Sequence, residues 1–266
     1  TNNRDLLALY QNADAAECPL VIDTSTSSCG NSRFGCWVCT VVEKDKSMEN
    51  LIDSGEDWMQ PLLELRQDLK DTQDPEKKLE IRDFKRRDGK VIFFTDGTEK
   101  ITPGPYKIEF RKEFLKKLLQ AQEQVRKDGP DSTMSLILEE EIHEIQRIWR
   151  VEQGDWENSV YAIYQEITGV NLSLVKEDMG GFTEVEQNIL DEICVQNSVP
   201  KLLVSKLLNA EFDSQGMTRH SKIYPKLGKI LSEEWRGYDE IETIKKELKE
   251  KKIKKIQNEQ FSRETK

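Results

Sequence analysis

The chain has 266 residues, with 40 Lys+Arg against 50 Asp+Glu, a net charge of −10, and 36% apolar against 34% charged residues. With five Trp, six Tyr and nine Phe it is too aromatic for a disordered acidic chain, yet it can bury only a modest core. No window approaches the ~18 uninterrupted apolar residues of a membrane helix and no basic-then-apolar leader is seen, so the chain reads as cytoplasmic, without a membrane partner.

The chain opens on Thr1, and TNNRDLLALYQNA reads as the interior of a domain rather than its start. Cys18, Cys29, Cys36 and Cys39 then fall within 40 residues, while Cys194 stands alone far downstream. An odd cysteine count in a reducing compartment argues against a disulfide framework and for metal ligands. Cys36 and Cys39 form a C-x-x-C pair, a spacing that lets two thiolates reach one metal or two corners of one cluster. Gly30 and Gly35 allow the backbone to fold tightly there, Cys18-Pro19 stiffens a fourth ligand, and Arg33 offsets thiolate charge. Spacing alone leaves zinc and iron–sulfur both open, because each accepts four thiolates. The uneven steps of 11, 7 and 3 residues lack the paired knuckles of a zinc ribbon and lean toward a cluster. Hydroxyls from Thr24 to Ser28, beside Asp23, are placed to hydrogen-bond the backbone or cluster sulfurs.

Downstream, Ser47 reads as an N-cap opening a helix with Leu51, Ile52, Trp58, Leu62, Leu63, Leu65 and Leu69 on helical spacing. Pro61 either kinks it or begins a second helix. Residues 84–106 change character: Val91–Phe94, a turn at Thr95–Thr98 and Ile101–Tyr106 predict a small hairpin or irregular crossing. Helices are predicted over Ile108–Val125, Leu136–Val151, Asn158–Thr168, Thr183–Gln196, Pro200–Ala210 and Tyr238–Ile256. Cys194, with Val185, Ile189, Leu190 and Ile193 beside it, reads as a core residue. His143 lies in a Glu-rich helix surface, four residues before Arg147, and so is no H-E-x-x-H zinc motif. Arg219, His220 and Lys222 form a polar loop with some capacity for an anion. Residues 241–266 carry nine Lys/Arg and five Glu; this tail and Lys85-Arg86-Arg87 with Lys90 offer phosphate attraction, although neither interleaves aromatics in the way a base-stacking surface would.

The stretch CPLVIDTSTSSCGNSRFGCWVCTVVEKDKSMENLI closely resembles the DndC family, the sulfurtransferases of bacterial DNA phosphorothioation, relatives of phosphoadenosine-phosphosulfate reductases. The likeness extends more loosely through VIFFTDGTEKITPGPY and GGFTEVEQNILDEICV to the charged tail. It implies an iron–sulfur cluster, [4Fe–4S], on Cys18, Cys29, Cys36 and Cys39. It also implies ATP pyrophosphatase chemistry that places sulfur in the DNA backbone, with a cysteine desulfurase and other Dnd proteins as partners.

One departure limits the carry-over. The family binds ATP through an S-G-G-x-D-S-type turn, and none exists here. Gly180-Gly181 is followed by Phe-Thr and reads as a helix entry, with Thr183 and Glu186 as a capping box. The expected architecture is therefore mainly α. Residues 1–46 would be the end of a PP-loop-type α/β domain with the cysteine loop, and 47–266 a helical region with a short hairpin. The chain reads as a C-terminal portion, inactive on ATP by itself. The alternatives are a zinc-stabilised module binding nucleic acid or a partner, or a reductase-like enzyme acting on a small sulfur substrate.

Overall fold

The protein was analysed as a computed structural model, which describes residues 38–40, 44–93, 101–172, 184–212, 214 and 223–247. Helix dominates these residues. Strand pairing among them is confined to two isolated antiparallel bridges, Arg82 with Tyr106 and Phe93 with Ile101. The expected hairpin is thus an irregular crossing in what is described: Thr102 N donates to Ile92 O at 2.8 Å, and no ladder follows. Cys18, Cys29 and Cys36, the 24–28 hydroxyls, Gly180-Gly181 and the 219–222 loop lie outside the described residues.

The helices are α1 Lys46–Asp53, α2 Gln60–Asp71, the short α3 Lys78–Ile81, α4 Ile108–Asp128, α5 Glu139–Ile148, α6 Ser159–Thr168, α7 Glu184–Gln196, α8 Lys201–Phe212 and α9 Ile223–Leu231. A further helical stretch covers 238–247. Asp45, not Ser47, caps α1: its side chain accepts from Met48 N. A carboxylate at a helix entry satisfies an orphan N–H and also meets the positive end of the dipole. Pro61 begins α2 rather than kinking a longer helix, since the first turn needs no N–H from it. Sequence reading missed α9 because Pro225 and Gly228 look like breakers. Pro225 falls in the first turn, where it is tolerated. No described helix is long and apolar enough to cross a membrane.

The chain divides into two compact units, 1–83 with 106–190, and 84–105 with 191–266. In the first unit α4 is the spine. Leu115 and Leu119, four residues apart on one face, pack with Ile142 of α5, Trp149, and Val160 and Tyr161 of α6. Near the C-terminal end of α4, Val125 joins Met48 and Leu62 under Trp58 and Leu136. Two fully buried glutamines tie loops to this frame. Gln122 Oε1 accepts from Leu136 N at 2.8 Å and Ile137 N at 3.1 Å. Gln146 Oε1 accepts from Val160 N at 3.1 Å, while its amide donates to Asp155. Asp155 also accepts from Ser159 N at 3.0 Å and Ser159 Oγ at 2.6 Å, closing the entry to α6. Arg150, in the π-turn Trp149–Gln153, is buried close by; desolvation lowers its pKa, partly offset by Asp155.

In the second unit α8 packs on α9, with Ser205 and Ala210 of α8 and Ile230 of α9 buried. Ile241, from the stretch at 238–247, and Ile101 complete its buried apolar set together with Cys194.

Candidate functional site

Of the four candidate ligands, Cys39 is the one within the described residues, half-buried in the non-helical stretch 38–40. That stretch is pinned to the end of α2. Lys70 Nζ donates to Thr40 O at 3.3 Å, and Gln73 Nε2 donates to Thr40 Oγ1. The wall itself is fixed by buried Thr72, whose hydroxyl donates to Leu69 O at 2.7 Å and shares a 2.7 Å hydrogen bond with Tyr106 OH. An ammonium therefore sits one residue beyond Cys39, on the helix end where a cation is favoured. Four thiolates, the donor set expected of these cysteines, of which three lie outside the described residues, would be soft and suit iron–sulfur or zinc rather than a hard cation. Sequence reading missed Lys70 and Gln73, because the link spans about 30 residues and has no local signature.

A cleft of about 170 Å³ opens in the first unit beside α2 and α4. Ile81, Phe110 and Phe114 give it apolar walls, while Asp68, Asp71, Glu80 and Glu113 outnumber Lys77 and Lys117 among its charged residues. Lys117 already bonds Asp68 at 2.8 Å and lies 3.6 Å from Glu113; the Asp68 hydrogen bond, foremost, raises its pKa. Four carboxylates against two lysines repel a polyphosphate, so this cleft is not suited to ATP.

The other sequence candidates divide. His143 Nδ1 shares a 2.7 Å hydrogen bond with Tyr161 OH, and Glu139, Glu140, Glu141 and Glu144 are exposed, so this segment is a helix surface as expected. Among the described residues no three His, Cys, Asp or Glu side chains gather to hold a metal. Cys194 is 4% exposed, a core residue, but its neighbours Ile189 and Ile193 are about half exposed, at 52% and 49%. The expected apolar stripe of α7 thus buries its thiol more fully than its isoleucines.

At the basic stretch 85–90 the tertiary structure adds a ring that the local sequence does not carry, because Trp235 is brought in from far along the chain. Lys85 Nζ stands 5.5 Å from the centroids of both Phe84 and Trp235, and Lys206 Nζ is 5.4 Å from Trp235. Lys245 Nζ lies 3.6 Å over Phe93, and Phe84 meets Tyr238 edge-on at 5.7 Å. Nothing near Lys85 in sequence signals Trp235. No protein-family model matches this chain, and neither a curated protein nor a solved structure matches it.

Proposed function

We propose that this chain is the cluster-bearing portion of a DndC-like, cytoplasmic DNA sulfurtransferase. Cys18, Cys29, Cys36 and Cys39 would hold a [4Fe–4S] cluster. The observation that carries the reading is the cysteine array itself: four thiols in 22 residues, ending in a C-x-x-C pair within a segment that resembles that family. Support comes from the anchoring of Thr40 by Lys70 and Gln73, which fixes the backbone next to the last ligand. When bound, such a cluster supplies sulfur-relay or electron-transfer capacity, or holds its segment in shape. The chain's own residues do the positioning. Lys70 sets positive charge beside a thiolate-rich segment, and Thr72 with Tyr106 keeps that wall from shifting.

No glycine turn of the S-G-G-x-D-S type occurs in the 266 residues, so these residues alone are expected to release no pyrophosphate from ATP. Sulfur delivery would come from a cysteine desulfurase, and DNA would be the acceptor.

Anaerobic purification tests the reading. Brown protein with iron and labile sulfide, losing both on Cys36→Ser or Cys39→Ser, is the expected result. Colourless protein with one zinc and no sulfide would overturn it.

A further inference from the structure

Three exposed cations share one short turn of the second unit: Arg86, Arg87 and Lys90. Among the described residues none of the three side chains has an ion-pair partner. Asp88, the one carboxylate between them, accepts from the Lys90 backbone N at 3.2 Å. The turn is closed on itself by Arg86 N to Lys90 O at 2.8 Å and Gly89 N to Arg86 O at 2.9 Å. It is also docked on the segment after α9, where Glu234 N donates to Gly89 O at 2.8 Å. Gly89 has φ +74°, and a Cβ there would stand 2.3 Å from Glu233 Cγ, so only glycine lets the turn seat this closely. The backbone is thus fixed before any ligand arrives, and binding need order only three side chains.

The surroundings decide what kind of anion fits. Lys85, Lys206 and Lys245 stand over the rings of Phe84, Trp235 and Phe93, and Tyr238, which meets Phe84 edge-on, is 41% exposed. A base-stacking platform needs a row of uncovered rings, and the described residues around the turn supply no such row. What they present outward is positive charge without an ion-pair partner among them, suited to backbone phosphates rather than to base edges. Residues 84–105 and 191–266 together carry 21 Lys/Arg against 16 Asp/Glu, a net of +5, whereas the first unit carries 19 against 34, a net of −15. A polyanion is drawn to the second unit and repelled by the first.

We propose that the Arg86–Lys90 turn is a phosphate-contact site for duplex nucleic acid, gripping the backbone without reading sequence. It adds to the function proposed above the place where the acceptor would be held. It involves none of the cysteines, so the two readings fail separately.

The test is fluorescence anisotropy of the full chain with a mixed-sequence 20-base-pair DNA duplex across KCl concentrations. Each lost phosphate contact lowers the slope of log K against log [salt] by about 0.9. Joint R86A, R87A and K90A replacement is expected to lower it by about 2.7. Between 50 and 200 mM KCl the parent would then lose about 40-fold more affinity than this variant. R86K with R87K should keep the slope, and all turn variants should keep the parent's circular dichroism and iron content. Unchanged slope in the triple variant overturns the proposal, as does absence of duplex binding by the parent at 50 mM KCl. An equal fall on replacing Lys44, Lys77 and Lys127, exposed cations of the first unit, would also overturn it, because binding would then be diffuse. So would a polyaspartate peptide binding through the turn while the duplex does not.

Discussion

The two units of this chain are held together by different forces. The first is acidic, yet it has a dense apolar centre around Leu119 and Ile142, with buried glutamines completing its hydrogen bonds. The second is basic and has a thinner apolar set, compensated by lysines over aromatic rings and by backbone docking of one turn. Apolar burial is not screened by salt, whereas exposed charge contacts weaken as ions screen them. The same sequence thus builds a stable acidic frame and an electrostatically tuned basic face.

Breaking the first unit's centre should have the largest effect. Leu119→Ala removes a fully buried side chain from α4 and is expected to cost about 2–5 kcal/mol. Chemical denaturation would read the loss, and hydrogen exchange should place it in the first unit. Gln146→Ala leaves Val160 N and part of Asp155 without partners in a dry site, at a cost of about 1–3 kcal/mol. A shift of that size in denaturation midpoint, at unchanged slope, is the expected readout.

Gly89→Ala sharpens the comparison from the other side. The positive φ and the Glu233 contact together should cost about 1–3 kcal/mol, with faster amide exchange confined to the second unit. Lys206→Met removes both the ion pair to Glu233 at 2.6 Å and the contact with Trp235, at about 1 kcal/mol. Its effect should shrink in part at 1 M salt, since the ion pair is only partly covered, while that of Leu119→Ala should not. A salt-independent Lys206→Met penalty would contradict the division drawn here.

The smallest effect is a pH dependence. Hydrogen bonds from the Arg236 guanidinium hold the Glu234 carboxyl below the ordinary glutamate value. A lowered folded pKa gives stability that is present above the unfolded value, about 4.3, and lost as pH falls through the folded one. Acid titration followed by Trp235 fluorescence should therefore show the 233–236 segment loosening only below about pH 4.3. Glu234→Gln should flatten that transition.

Much of the helical frame was legible in advance because its signals are local. Apolar spacing marked α4 through α8, and Ile108 and Thr168 stand at the ends expected for α4 and α6. The boundaries that differed turned on single residues: Asp45 took the cap expected of Ser47, and Pro61 opened α2 rather than kinking a longer helix. The cysteine array was visible because ligand spacing is itself a sequence property. Its support was not, since Lys70 and Gln73 reach Thr40 across 30 and 33 residues.

The sequence by itself determined the helical character, the core role of Cys194 and the segregation of acidic from basic stretches. Each of these depends on composition or on residues a few positions apart. That Trp235 lies by Lys85, that the 86–90 turn is docked on residues 233 and 234, and that lysines stand over Phe84, Trp235 and Phe93 follow from packing alone. Those features join segments some 150 residues apart. Packing of the whole chain sets such contacts, and no local periodicity encodes them.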